Sequence, residues 1–279
     1  MRWPERHYLV NQRHGFLYAP IAKVACSALK SWMIELEEGC EAAGRVDSHE
    51  HARDRYELQC HSAAAARRCL RDENLFRFAF VRNPWDRLVS AYLNKFVPIR
   101  NHALKLPAQQ FLRGVERRRR VRHLASLVTG GWLGSSSALP PLTVLAEAFT
   151  FRQFVAELTQ FNPRKYDLHW RPQSLFLGRL RLDFVGRFEH LERDFRTLCQ
   201  RLNLKTALPQ KNQTERGATT TACLADWPLA ELRALPAFPG YSQFYTPDLA
   251  AQVAAIYAED VRRFGYEFSP AGKSSGVAA

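Results

Sequence analysis

A chain of 279 residues with 46% hydrophobic and 12% aromatic side chains can bury a large core, which predicts one big domain and excludes a disordered protein. Its 40 Lys and Arg residues against 27 Asp and Glu residues give a formal net charge of +13, which favours anionic partners such as nucleotides, acidic glycans, nucleic acid or membrane surfaces. Charge alone does not choose among these partners.

The cysteines and the N-terminal stretch indicate a compartment. The six cysteines are scattered and form no Cys-x-x-Cys pair, which predicts reduced thiols. The stretch MRWPERHYLVNQRHG is too polar for the apolar core of a signal peptide, and no stretch approaches the roughly 18 apolar residues of a membrane span. We therefore expect no integral membrane segment and a cytoplasmic location.

Two strand-loop-helix units follow one another in the first part of the chain. The apolar run 16–19 is typical of a buried strand, and apolar residues at helical spacing between 29 and 36 predict a helix that ends at Gly39. A second strand-like run, 76–81, stops at Asn83-Pro84, after which helical spacing resumes.

The middle of the chain adds a basic helix, a loop and a third unit. Residues 105–128 are helical in period, and the stretch 130–141 is rich in Gly, Ser and Pro, which predicts a mobile lid or an insertion. Residues 182–188 predict a third strand, and apolar residues between 191 and 202 predict the helix after it.

A last helix is predicted from its N-cap Thr246 to its C-terminal Gly265. Strands that alternate with helices indicate an α/β domain with a mainly parallel sheet flanked by helices. We expect a single domain over residues 1–268, with a variable insertion at about 97–145 and a disordered tail over 269–279.

The segment 18–30 has the features of an anion-binding turn. It leaves a buried strand, turns through small residues and enters a helix whose first amides and dipole favour a negative oxygen. Lys23 adds a positive charge, Ser27 adds a hydroxyl, and the small Ala25 and Cys26 permit close backbone approach. An ordinary turn with an exposed lysine fits this segment equally well, and the missing G-x-x-x-x-G-K-[ST] pattern gives an ATPase little support.

A second anion site is predicted after the second strand. Arg82 stands at the carboxyl end of that strand, which is the end where ligands bind in open α/β sheets. Its guanidinium can hold a phosphate in a bidentate fork, and Ser90, on the first turns of the next helix, can donate one more hydrogen bond.

The string RNPWDRLVSAY at 82–92 resembles the 3'-phosphate-binding motif of the sulfotransferases that use 3'-phosphoadenosine 5'-phosphosulfate (PAPS), especially their carbohydrate (Golgi-type) branch and its bacterial relatives. The string PIAKVACS at 20–27 is similar to that branch's 5'-phosphosulfate loop, although the family commonly has Pro where this chain has Ala22. Three later stretches, 169–173, 183–194 and 244–266, are similar to its further signatures.

The resemblance implies a P-loop-like sulfotransferase fold and transfer of a sulfuryl group from PAPS to a hydroxyl, with a carbohydrate as the expected acceptor. Because Golgi enzymes of this chemistry are expected to carry a membrane anchor and the sequence predicts none here, we expect a bacterial protein. Arg82 and Ser90 would hold the 3'-phosphate, and Lys23 would neutralise the bridging oxygen as the sulfate-phosphate bond breaks. No metal is expected. The residues expected around the 5' end of PAPS are Lys23, Val24, Ala25, Cys26, Ser27 and Ala28.

A histidine suits the general base that the acceptor hydroxyl needs, because its ordinary pKa is near 6.5. His51, with His49 as second choice, lies between the two cofactor motifs, where the resembled enzymes often place their base. Glu50 or Asp54 could serve instead, and two solvent-facing histidines on a polar loop remain the alternative. His169 is expected either to line the acceptor cleft or to be structural.

For two further residues we expect mainly structural roles. Glu189 should order a strand-to-helix corner, and Arg87 should either pair with Asp86 or line the cofactor site.

The arginine run 117–120 is either the solvated face of a helix or a docking surface for an acidic acceptor, such as a uronic-acid polymer or a lipid-linked glycan, with Arg117 as its representative. The positive charge also suggests two other classes of protein. A nucleic-acid-binding protein would explain the charge but lacks a reading motif, and a nucleotide kinase would need the absent Walker pattern. We therefore expect no nucleic-acid partner.

Overall fold

The computed structural model describes residues 3–97, 105–128, 146–209 and 222–269. Within them, four strands form one sheet in the order β1-β2-β3-β4. β1 is antiparallel to β2, whereas β2, β3 and β4 are parallel. The expected mainly parallel sheet is therefore confirmed. The strands are β1 Leu9–Asn11, β2 Phe16–Tyr18, β3 Phe76–Val81 and β4 Phe184–Arg187.

Helices lie before, between and after the strands. The α-helices are α1 Cys26–Glu38, α2 Cys40–Arg45, α3 Ser48–Arg55, α4 Ala63–Arg71, α5 Pro84–Phe96, α6 Leu106–Val128, α7 Phe151–Leu158, α8 Gln173–Leu177, α9 Leu191–Arg201, α10 Leu229–Arg233, α11 Pro247–Ile256 and α12 Ala258–Phe264. Short 3₁₀ helices cover Glu5–His7, Leu58–Cys60, Pro163–Lys165, Phe188–His190 and Tyr241–Phe244. None of these helices combines the length and the apolar character that a membrane crossing requires.

The centre of the sheet is buried on both faces, as expected for a parallel strand between helices. The last four residues of β3 are all buried. Phe78 stacks on Tyr18 of β2 with ring centroids 5.0 Å apart, and Trp32 of α1 stacks on Phe16 at 5.4 Å. A larger residue in place of Gly186 of β4 would force the Phe80 ring to shift, because a Cβ there would lie 2.3 Å from that ring.

The corner between β3 and α5 is sharply defined. Asn83 accepts hydrogen bonds from the amides of Trp85 and Asp86, and Pro84 occupies the first helical turn. The predicted break at Asn83-Pro84 is therefore confirmed, and it fixes where β3 stops and where Arg82 stands.

The predicted last helix is two helices, α11 and α12, which meet at Tyr257. The backbone of Tyr257 leaves helical geometry, and its buried hydroxyl donates to the carbonyl of Trp170 at 2.6 Å. Thr246 stands at the N-cap position, but its side chain makes no capping hydrogen bond. Gly265 ends α12 in the left-handed region at φ 60°, as predicted.

Other elements were not predicted or cannot be compared. The edge strand β1 and the helices α2 to α4 had no counterpart in the sequence analysis. The loop 130–141, the parts 98–104 and 129–145 of the insertion expected at 97–145, and the tail beyond residue 269 lie outside the described residues.

Candidate functional site

A cleft of about 420 Å³ opens where the loop after β2 meets the carboxyl end of β3. Lys23 and Arg82, which the sequence placed in two separate anion sites, both line it. The sheet therefore brings the two predicted sites together, as expected at this end of parallel strands. The other polar lining residues include Ser27, Lys30, His49, Glu57, Asn94, Lys95 and His169, and the aromatic ones are Trp3, Tyr8, Phe176 and Phe188.

The loop from β2 to α1 has an unusual backbone. Lys23 and Ala25 both have a positive backbone angle φ, 69° and 50° respectively. Residues other than glycine rarely adopt such values. A residue with such a φ next to a helix start turns successive backbone amides toward one point and makes an anion-binding concavity. Ala25 is the N-cap of α1 and no side chain caps the helix there, so its first amides are available to a ligand.

Most of the loop residues expected around the 5' end of PAPS do line the cleft: Lys23, Ala25, Cys26, Ser27 and Ala28. Val24 does not, because its side chain is fully buried in the hydrophobic core. Its expected contribution was a backbone amide, and the buried side chain anchors the loop that carries this amide.

Arg82 is buried and ties the two halves of the site together. Its Nη1 donates to the carbonyl of Lys23 at 3.0 Å, its Nε donates to Asp86 at 2.9 Å, and its guanidinium lies 4.1 Å from the ring centre of Phe188. The side chain of Gln173 holds the Arg82 backbone at both its amide and its carbonyl. Only the remaining Nη hydrogens are therefore left for a ligand, which is fewer than the full fork that the sequence suggested.

The backbone of Gln173 is itself held by a buried carboxylate. The carboxylate of Asp260 on α12 accepts from the amides of Gln173 and Ser174 at 2.6 and 2.7 Å. The later stretches of the resemblance therefore hold Arg82 in place. Glu189 acts similarly, since it accepts from the Asn83 amide at 2.6 Å and from the hydroxyl of Tyr266, which confirms its expected ordering of the corner.

Arg87 is fully buried and binds three backbone carbonyls. Nε donates to Ala22 at 2.9 Å, Nη1 to Arg171 at 2.8 Å and Nη2 to Leu168 at 3.2 Å. It thus joins the loop that carries Lys23 to the segment that carries His169. Of the two expectations for Arg87, the structural one fits, although the contacts are with carbonyls and not with Asp86.

The cleft carries an excess of positive charge. Burial, followed by the nearby charge of Arg82, lowers the pKa of Lys23 to about 7. Burial also lowers the pKa of Lys95, and Lys30 is a further buried lysine that lines the cleft. Among the described lining residues the one carboxylate is Glu57, which already pairs with His7 at 3.1 Å. An anionic ligand would supply the missing negative charge.

The two candidate histidines on α3 face different ways, because residues two apart in a helix lie on opposite sides. His49 lines the cleft, and its Nε2 lies 2.8 Å from Ser27 Oγ. His51, the first choice from the sequence, does not line the cleft and pairs with Glu38 at 2.7 Å. Tyr56 donates to the same carboxylate at 2.8 Å, so His51 belongs to a separate cluster.

Of the two histidines on α3, the geometry therefore favours His49 over His51 as the candidate general base. Partial burial against the cleft, and then the charge of Lys30, lower its pKa below the ordinary value. The carboxylate alternatives, Glu50 and Asp54, are exposed and do not line the cleft.

His169 lines the cleft, which agrees with the first of its two expected roles, a place in the lining, rather than with a purely structural one. Its Nδ1 faces the carboxylate of Asp167, and burial lowers its pKa. Ser90 is half-buried on α5 and is not among the lining residues, so its contact with a 3'-phosphate stays a prediction.

Arg117 lies exposed on α6, outside the cleft. Its neighbours are largely paired: Arg118 binds Glu157 at 2.6 Å, and Arg120 binds Glu116 at 2.6 Å. The docking of an acidic acceptor on this helix stays a prediction.

The sequence analysis missed several lining residues, chiefly Lys30, Asn94 and Lys95. Helical spacing held a signal for one of them. Lys30 follows Ser27 by three positions on α1, so it shares a face with a residue at the site.

Comparison with known proteins agrees with this geometry. The chain belongs to the sulfotransferase family, whose sequence profile matches residues 6–267. This result confirms the resemblance to the sulfotransferases that the motifs indicated.

Several curated relatives are carbohydrate sulfotransferases. The chain is 33% identical over 198 residues to carbohydrate sulfotransferase 14 of Homo sapiens. The matched region covers 68% of this chain and 44% of the relative. The chain is 30% identical over 202 residues to carbohydrate sulfotransferase 14 of Danio rerio, with 71% and 48% covered. For carbohydrate sulfotransferase 12 of Xenopus laevis the identity is 26% over 238 residues, with 79% and 54% covered. The chain spans about half the length of these relatives, and no solved structure matches it.

Proposed function

We propose that this protein transfers a sulfuryl group from PAPS to a hydroxyl of a carbohydrate. The observation that carries the proposal is the shared cleft of Lys23 and Arg82, which a hydrogen bond of 3.0 Å joins. Membership of the sulfotransferase family supports the reaction, and the similarity to carbohydrate sulfotransferases supports the class of acceptor.

The residues present fit PAPS, which is a substrate with phosphate groups at two positions. The uncapped amides at the start of α1 and the Ser27 hydroxyl suit the 5' end of the nucleotide. The free Nη hydrogens of Arg82 suit a second phosphate. The cleft has three lysines and the described lining offers them no free carboxylate, so the dianionic groups of PAPS are what this site lacks.

Lys23 would stabilise the leaving group. Its ammonium group would offset the charge that develops on the bridging oxygen as the sulfur-oxygen bond breaks. Because burial and Arg82 hold the pKa of Lys23 near 7, an incoming anion would favour the charged form at the moment when it is needed. A histidine of the cleft would take the proton of the acceptor hydroxyl.

The finer expectations remain proposals. A bacterial source, a cytoplasmic location, peripheral contact with a lipid-linked glycan and transfer without a metal are predictions from the sequence. Transfer without a metal is tested by adding a chelator, and we expect turnover to stay unchanged.

The proposal is tested by following label from sulfur-35 PAPS into a panel of neutral and uronic-acid oligosaccharides. We expect wild-type protein to label at least one acceptor, with equimolar release of adenosine 3',5'-bisphosphate (PAP). Phosphate transfer from ATP, with no sulfate transfer to any acceptor, would contradict the proposal and favour a nucleotide kinase.

A further inference from the structure

A second histidine of the cleft, His169, is held in a defined orientation by a carboxylate. Both its ring Nδ1 and its backbone amide face Oδ1 of Asp167, the amide at 2.9 Å. A carboxylate accepts hydrogen bonds and does not donate them, so Nδ1 carries the proton. In the neutral ring the lone pair is then on Nε2, which is the atom available to take a proton from a substrate.

The segment that carries this pair is fixed to the loop that carries Lys23. Arg87 binds the carbonyls of Leu168 and Arg171 on either side of His169, and through Nε it also binds the carbonyl of Ala22. One buried guanidinium therefore sets the position of His169 relative to the lysine. A base and a charge-stabilising group need this kind of fixed relationship for in-line transfer.

His49 lacks such an orienting carboxylate. Its neighbour Asp47 accepts from the backbone amides of His49 and Glu50 and so caps α3. The ring Nε2 of His49 is already engaged with the hydroxyl of Ser27 at 2.8 Å. A donor at Nε2 would direct the Ser27 hydroxyl hydrogen toward a ligand at the loop, which is a positioning role.

We propose that His169, oriented by Asp167, is the catalytic base of the transfer, and that His49 positions Ser27. The inference rests on the proposed function. The acceptor oxygen forms a bond to sulfur, the bond from sulfur to the bridging oxygen breaks, and its electron pair leaves with PAP beside Lys23. The acceptor proton moves to Nε2 of His169 and then to water, so the step needs no other reactant.

The charges around His169 suit this role. The groups that act on it are Asp167, Lys95 and Lys23, with His49 also near enough to sense its charge. Burial is the largest influence and lowers the pKa of His169, the hydrogen bond to Asp167 raises it, and Lys95 lowers it. The ring is therefore neutral at pH 7, and activity should fall on the acid side as it becomes protonated.

The test compares His169→Gln, Asp167→Asn and His49→Gln, with His61→Gln as a control because His61 does not line the cleft. We measure kcat and KM from pH 5 to 9 with sulfur-35 PAPS and the oligosaccharide panel, and PAP affinity by calorimetry. His169→Gln should lower kcat at least about 100-fold and abolish the acid limb of kcat/KM. PAP affinity should stay within about threefold, because the ring does not hold the nucleotide.

The other variants separate orientation from structure. Asp167→Asn should lower kcat and move the acid limb to lower pH, because the contact that raises the pKa of His169 is weakened. His49→Gln should raise the KM for PAPS and keep the acid limb. A nitrogen-15 spectrum of the wild-type histidine rings should show the proton on Nδ1 of His169, a readout that needs no acceptor.

Two results would overturn the inference: kcat within tenfold of wild type in His169→Gln, or loss of the acid limb in His49→Gln. A merely structural His169 would lower PAP affinity and melting temperature while leaving the limb in place. If wild-type protein itself transfers no sulfate, the proposed function fails and the inference falls with it. If wild type transfers sulfate and the variant still binds PAP, the outcome concerns the Asp167 and His169 pair alone.

Discussion

Arg82 donates a hydrogen bond from Nη1 to the backbone carbonyl of Lys23 at 3.0 Å, which holds two cationic residues beside each other in the lining of one cleft. This contact uses the lysine's backbone and leaves its ammonium group to the cleft. The proximity has an electrostatic cost in the absence of a ligand, because burial and the charge of Arg82 together lower the pKa of Lys23 to about 7. The site is therefore arranged for an anion that is not part of the protein.

Replacing Lys23 by Ala should lower kcat at least about 100-fold, because the ammonium group acts mainly on the bridging oxygen in the transition state. PAP lacks that oxygen's sulfate, so PAP affinity should fall by less than about tenfold. Calorimetry and the sulfur-35 assay measure the two quantities. Lys165→Ala, at an exposed position outside the cleft, is the matched control and should match wild type. Turnover that survives in Lys23→Ala would remove the role assigned to the lysine.

Binding of PAP should take up protons near pH 7.5. The pKa of Lys23 is about 7 in the free protein, so the lysine is then mostly neutral, and a nearby phosphate raises its pKa and favours the charged form. The sign follows directly: affinity for PAP should decrease as pH rises from 7 to 9. Calorimetry in two buffers of different ionisation enthalpy measures the uptake. Equal uptake by wild type and Lys23→Ala would show that another group takes the proton.

Replacing Arg82 by Lys should weaken PAP binding about 10- to 100-fold. The change removes Nη hydrogens that face the cleft and the bonds to Lys23 and Asp86, and one charge-assisted hydrogen bond contributes about 1.5 to 3 kcal/mol. Arg113→Lys, on the exposed face of α6, makes the same chemical change away from the cleft and should leave PAP affinity unaltered. Equal affinities in the two variants would argue against a phosphate contact at Arg82.

Replacing Arg87 by Lys should destabilise the whole domain. The ammonium group cannot reach the carbonyls of Ala22, Arg171 and Leu168 together, and the loss of two such bonds would lower the free energy of unfolding by about 3 kcal/mol. Urea denaturation measures this change, with the exposed Arg179→Lys as the control. A midpoint equal to wild type would mean that the three contacts contribute little.

Much of the fold could be predicted from local sequence patterns. Continuous apolar runs identified β2 and β3, and the Asn83-Pro84 signal identified the start of α5. The edge strand β1 has only two apolar residues before the polar Asn11, so it offers no continuous apolar run to detect. The division of the last helix at Tyr257 depends on a hydroxyl that bonds to Trp170, and this long-range contact has no local signature.

The histidines show how a missed local element changes a site. The segment around His49 and His51 was assigned no helix from the sequence, and the alternative to a catalytic role placed both histidines on a polar loop. It is helix α3, capped by Asp47, and helical geometry then separates the two rings. The spacing of Asp47 and Glu50 is a helix-start signal that could have revealed this. The pairing of His51 with Glu38 depends on tertiary packing, so no local signal could have revealed it.

The most direct test of the central claim, that one cleft binds both ends of an adenosine bisphosphate, is a comparison of melting temperatures with PAP, ATP with Mg²⁺, and duplex DNA. At a PAP concentration about 100 times its dissociation constant, binding adds about 2.7 kcal/mol, which for a domain of this size corresponds to a shift of about 5 to 10 °C. We predict that shift for PAP and a much smaller one for the other two ligands. A large shift with DNA or with ATP and Mg²⁺, and none with PAP, would contradict the account.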